Sequence, residues 1–186
     1  GRFVGSDAKN VYLEDASPLT QAVIDSAVLA GDGSYRFELK GVPKTPSLYN
    51  IIYNGERIPL LIAGGDRVTV GSVGSVVRNY TVEGSEESQL LKQFNTQYGN
   101  GVATLDSLSK IYRNTPVVAD TEKRRKNLLD QYLAEYYRIK REHINFIVSN
   151  ASSMASIYAL YQRLPNDPSL FNPQSDIVYY RIVADS

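Results

Sequence analysis

The sequence predicts an α+β protein, with an N-terminal antiparallel β-sandwich-like domain over residues 1–84 and an α-helical subdomain over residues 85–186. Two observations carry this expectation. Up to Gly84, short apolar or alternating runs (KNVYLED, AVIDSAVL, SYRFEL, SLYNIIY, RIPLLIA, RVTV, RNYTVE) are separated by Gly, Pro, Asn and Asp. That spacing belongs to an all-β sandwich or barrel. From Ser85 onward the apolar residues recur at steps of three and four, the period of a helix. A chain of 186 residues can bury roughly 70% of the surface its unfolded form exposes, enough for a core without covalent staples.

The second and third of these runs raise a question of chemistry. VIDSAVLAGDGSYRFEL, residues 23–39, holds an Asp-Ser pair and a Gly-Asp-Gly. Tyr35, Phe37 and Leu39 alternate with polar residues, and a turn at Gly31-Asp32 or Asp32-Gly33 supplies the positive φ of a tight hairpin. Either register puts Ile24, Ser26 and Val28 on the inner face with Tyr35, Phe37 and Leu39, and points Asp25 outward near Arg36 or Lys40. As a nucleophile Ser26 would need a base, and the single histidine lies more than a hundred residues away. The stretch reads as scaffold.

LYNIIYNGERIPLLI then centres on Asn54-Gly55, a strong hairpin signal. Pairing Tyr53 with Glu56 sets Ile51 opposite Ile58 and Tyr49 opposite Leu60, and makes Pro59 the mark of an edge or bulged strand. AGGD turns the chain into Arg67–Val70; with no helix following, Gly64-Gly65-Asp66 is a weak phosphate loop.

In the second half Ser85 is the expected N-cap of a helix whose first turn holds Glu86 and Glu87. Its apolar face runs through Leu90, Leu91, Phe94 and Tyr98, and Gly99-Asn100-Gly101 interrupts or breaks it before Val102, Leu105, Leu108 and Tyr112. The longest helix is expected over about 120–150, with a seam of Leu129, Tyr132, Tyr136, Ile139, His143 and Phe146 facing an antiparallel neighbour. A shorter helix follows over about 154–164, then a loop broken by Pro165, Pro168 and Pro173. A last helix is capped by Ser175, with no stop signal after Ile182 or Val183, so the natural protein is expected to continue.

Composition excludes several kinds of function. Basic and acidic residues balance at 20 each, and each half is near neutral, which argues against a nucleic-acid or membrane-surface binder. With no cysteine the chain cannot form a disulfide, a thiolate metal site or a CxxC redox centre. His143 on an apolar stripe reads as a packing residue, and the EKRRK run at 122–126 as a solvated first helical turn. Asn79-Tyr80-Thr81 and Asn150-Ala151-Ser152 fit the glycosylation pattern, a short match that arises by chance. The 14 tyrosines, among them Tyr136, Tyr137, Tyr158, Tyr161, Tyr179 and Tyr180, suit either packing or a surface for partners and sugars.

NVYLED, VIDSAVLAGDGSYRFEL, IPLLIAGGDRVTV and NYTVEGSEESQLLKQF, in that order, resemble a domain of unknown function common in Bacteroidetes envelope proteins. In that family it precedes a thioredoxin-like domain, of the thiol-disulfide oxidoreductase or peroxiredoxin-like kind, in lipoproteins. FIVSNASSMASIYALYQRL resembles the helical connector ahead of that domain, with Ala151 where the family usually has Pro. The resemblance implies a non-catalytic accessory or interaction module, in the periplasm or cell envelope and lipid-anchored from upstream. Its implied partner is a C-terminal thioredoxin-like domain in cis or another envelope protein. It carries over no catalytic, cofactor or metal residue and leaves ligand-binding residues open. The alternative is a stand-alone periplasmic ligand- or glycan-binding lipoprotein. A hydrolase would need a patterned nucleophile–base pair, which the sequence does not display.

Overall fold

Asn54 and Gly55 close the expected hairpin. Their φ angles are 52° and 76°, the two positive values that a two-residue turn between twisted strands requires. In a computed structural model describing residues 1–5, 8–17, 20–74, 79–164 and 169–186, this turn joins β4 (Ser47–Tyr53) to β5 (Glu56–Ile62). The ladder sets Tyr53 opposite Glu56, Ile51 opposite Ile58 and Tyr49 opposite Leu60, the register the turn predicts.

Two sheets build the first half. β3 (Ala22–Val28), β2 (Asn10–Asp15), β4 and β5 form a four-stranded antiparallel sheet in that order. β1 (Arg2–Val4), β6 (Thr69–Val73) and β7 (Thr81–Glu83) form a three-stranded one. β1 was not foreseen as a strand, and its ladder with β6 is parallel, the one departure from antiparallel pairing among the described strands. A shared core of Phe3, Val11, Leu13, Tyr35, Ile51, Tyr53, Ile58, Leu60 and Val70 lies between the inner faces. The Tyr53 and Tyr35 rings stack on Phe3, with centroids 4.5 and 4.8 Å away.

The tight turn expected at Gly31–Gly33 forms, with Ala30 N donating to Ser34 O at 2.9 Å and Gly33 at positive φ, but the strands of the expected hairpin do not pair beyond it. β3 pairs with β2, Tyr12 opposite Ser26, and residues 35–39 belong to no strand. The Gly-Asp-Gly is a corner that carries the chain from one sheet to the other. Gly33 donates to Ala30 O at 2.8 Å, and Phe3 donates to Gly33 O at 2.9 Å. Gly33 has φ 83°, and a Cβ there would collide with the Phe3 carbonyl, so only glycine passes. Ser26 is therefore exposed on an outer strand instead of lying beneath Phe37, and Ile24 and Val28 also face out. Apolar residues stand on both faces of this strand, so alternation did not fix its phase.

Ser85 caps α1 (Glu86–Asn114) as expected, accepting from Ser88 N at 3.1 Å. This first turn also closes the outer edge of β5. Pro59 removes one donor from that edge. Leu61 N donates to Ser88 Oγ at 3.0 Å, while Leu61 O accepts from Ser85 Oγ and Ser88 Oγ, each at 2.8 Å. The chain divides into two compact units, residues 1–93 and 94–186, so the opening turns of α1 belong with the strands.

α1 runs unbroken through Gly99-Asn100-Gly101, correcting the expected interruption. Each glycine costs about 1 kcal/mol relative to Ala in a helix, but Gly101 is a contact point. A Cβ there would stand 2.6 Å from Ile139 Cγ1 on α2 (Glu122–Ser149), so its absence lets the helices approach. Leu128, Ile139, His143, Phe146 and Ile147 form the buried side of α2, whereas Leu129 faces outward, one residue out of the expected seam. α3 (Met154–Leu160) ends before the predicted Leu164, and α4 spans Ile177–Ala184. Ser175 does not cap α4: its N–H donates to Asn172 Oδ1, and Asp176 occupies the cap position. Pro165 and Pro168 lie outside the described residues, as does Arg78 of the predicted RNYTVE strand. Of the described residues 44% are helical and 22% in strands, strands first and helices after, so the fold is α+β.

Candidate functional site

The residues singled out in the sequence do not converge. Asp25 Oδ1 accepts from Ser26 N at 2.7 Å. Leu29 N donates to Lys9 O of the β2 side, so on the C-terminal side of the β3 bulge the N–H groups of Asp25 and Ala27 face β2 and that of Ser26 faces the open edge. The carboxylate thus caps an edge donor that would otherwise offer itself to another strand. Asp66 acts similarly in the Gly64-Gly65 turn, where its Oδ2 takes Ala63 N at 3.0 Å. Arg125 of the basic run donates to Tyr112 O and Thr115 O at 3.2 and 2.6 Å and lies 4.0 Å from the Tyr112 ring. Asn150 is tied to Phe146 O at 2.8 Å, and Tyr80 is buried.

His143 is 2% exposed, enclosed by Phe94, Tyr98 and Phe171. Its Nδ1 lies 2.9 Å from Ile139 O. A carbonyl can only accept, so Nδ1 carries the proton, and Nε2 is left buried without a partner among the described residues. Burial holds the imidazole pKa down to about 4, against weaker opposing effects of the Ile139 carbonyl and the Glu142 charge. The ring is neutral at physiological pH and sealed from solvent, a packing residue as predicted. Among the described residues no group of three His, Asp or Glu could hold a metal ion, and no helix is long and apolar enough to cross a membrane.

Two surfaces escaped the sequence reading. The first is a cleft of about 790 Å³ in the β unit. Its floor is Leu13, Ile51, Leu60 and Ile62, and its sides are residues 35–39 and 66–70. Its signal in the sequence is the alternation of Tyr35, Phe37 and Leu39, which marks an inward face without naming what lies beside it. The second is an apolar surface on the helical unit. Val117 and Val118, between α1 and α2, are 83% and 55% exposed, and Leu129, Leu133 and Tyr137 follow along α2 at four-residue spacing. Tyr112, Val117, Val118, Arg125 and Leu129 frame a hollow of about 460 Å³ there. An apolar pair in a polar loop, directly after Pro116, was the available sign.

These features define an α+β protein of two compact units, with a cleft in the first and an exposed apolar surface on the second. Compared with protein-family models, with curated proteins and with solved structures, the chain matches none.

Proposed function

We propose that this chain is a non-catalytic interaction module, the accessory part of a cell-envelope protein of the thiol-disulfide oxidoreductase kind, held in the periplasm by an upstream lipid anchor. The observation that supports a docking role is the exposed apolar surface of Val117, Val118, Leu129, Leu133 and Tyr137. Exposed apolar side chains gathered on one face are costly to leave in water and mark partner sites. The redox and envelope parts of the proposal rest on the family resemblance.

Disulfide exchange needs a thiolate, and this chain has no cysteine. Insulin reduction should therefore be absent with this chain and present with the product of the whole gene. Hydrogen exchange at residues 117–137 should be slower in that product, and Leu129→Lys with Leu133→Lys should restore the fast exchange. A whole-gene product that lacks cysteine and activity removes the oxidoreductase reading. It would leave ligand binding, for which Tyr161, 68% exposed and edge-on to Tyr180 at 6.0 Å, offers a stacking surface for a sugar.

A further inference from the structure

β1 lies between two neighbours. On one side Tyr35 N donates to Gly1 O and the Gly1 amine donates to Tyr35 O, both at 2.9 Å, and Arg2 is bridged to Ser34 in antiparallel sense. On the other side β6 runs parallel, with Arg2 opposite Gly71. Both neighbours continue past Gly1, as Arg36–Leu39 on one side and as Thr69 back to Arg67 on the other. Strands in a sheet lie about 4.8 Å apart, and β1 fills the space between these neighbours. In line with it lies the cleft, lined on its two sides by these continuations.

Both lips keep the alternation of a strand. Tyr35, Phe37 and Leu39 turn inward between exposed Arg36, Glu38 and Lys40, and Val68 and Val70 turn inward beside exposed Arg67 and Thr69. Yet among the described residues no hydrogen bond engages the backbone of Arg36–Gly41 or of Arg67 and Val68. Two such lips facing one another over an apolar floor form a template for main-chain pairing.

We propose that this cleft is a strand position of the three-stranded sheet, taken by polypeptide that runs into Gly1 in line with β1. It is the two unpaired lips, and not the place of Gly1 in the sequence, that call for a strand here. The β1 ladders fix the register. The residue before Gly1 stands between Arg36 and Thr69 and points out. The second stands between Phe37 and Val68 and points in, over Leu13, Ile51 and Leu60. The third lies between Glu38 and Arg67, outward, and the fourth lies beside Leu39, inward. The occupant therefore carries apolar side chains at its second and fourth positions before Gly1. Gly1 itself has no room for one: a Cβ there would collide with the Tyr35 ring, which crosses β1 to set Oη 3.1 Å from Val70 O.

The inference stands apart from the docking role of the helical unit, and so does its test. Three forms of this chain are compared by amide hydrogen exchange and thermal melting: unextended, with Val-Thr-Val-Thr fused ahead of Gly1, and with the slipped Thr-Val-Thr-Val. N–H groups at Phe37 and Leu39 share the side of Tyr35 N and face the cleft. In-register extension should slow their exchange at least tenfold and raise the melting temperature, and the slipped form should do neither. Unchanged exchange at Phe37 and Leu39 in the first extension would overturn the proposal, as would equal protection by the slipped one. Free Val-Thr-Val-Thr peptide protecting these amides as well as the fused segment would overturn the in-line assignment in favour of a separate partner.

Discussion

Acidification should destabilise the helical unit through His143, and removing that ring should abolish the effect. In the folded state the imidazole is neutral, with a pKa of about 4 against an ordinary 6.5. Protonation would place an N–H at Nε2, where the described residues supply no acceptor. The unfolded chain takes up this proton near pH 6.5, before the folded one does. Stability from the neutral ring is thus complete above about pH 6.5 and is lost as pH falls toward 4. With ~1.4 kcal/mol per pKa unit, the loss between pH 7.5 and 4.5 is about 2.5 kcal/mol. Glu142 on the same helix, the charged group acting on the ring, pulls the other way and has the smallest of the three effects. The assay is urea denaturation of the chain and of His143→Phe at both pH values, followed by helical circular dichroism. Carboxylate titration is common to both proteins, so the difference between their pH dependences isolates the ring. Wild type should lose about 2.5 kcal/mol more than the variant. Parallel pH dependences would refute the reasoning, because they would mean the buried ring accepts a proton as readily as the unfolded one.

Ser88→Ala should cost about 1–3 kcal/mol, because Leu61 N–H loses its acceptor in a buried position while Leu61 O keeps Ser85 Oγ; a urea midpoint unchanged from wild type would count against this account of the β5 edge. Ser26→Ala should shift stability by less than about 0.5 kcal/mol, since the side chain is exposed on an outer strand. Wild-type protein treated with a fluorophosphonate probe should carry no label at Ser26, and labelling there would show a nucleophile.

What the sequence determined alone is local. Asn54-Gly55 set its hairpin and the full β4–β5 register, because positive φ at two successive residues admits one turn geometry. Ser85 set the start of α1, since a hydroxyl ahead of a helical run satisfies otherwise unpaired N–H groups. Period set the class of each half. Tertiary structure decided what the chain does with distant partners. Gly33 reads as part of a hairpin turn until the Phe3 carbonyl is placed against it. Gly101 reads as a helix breaker until Ile139 on another helix needs its missing side chain. The cleft was invisible for the same reason: its two lips lie about thirty residues apart, and only the ladders of β1 bring them to either side of one line. Alternation records that a residue will be buried, but the identity of what buries it is a property of pairing, and pairing is fixed only when all the strands compete for the same edges.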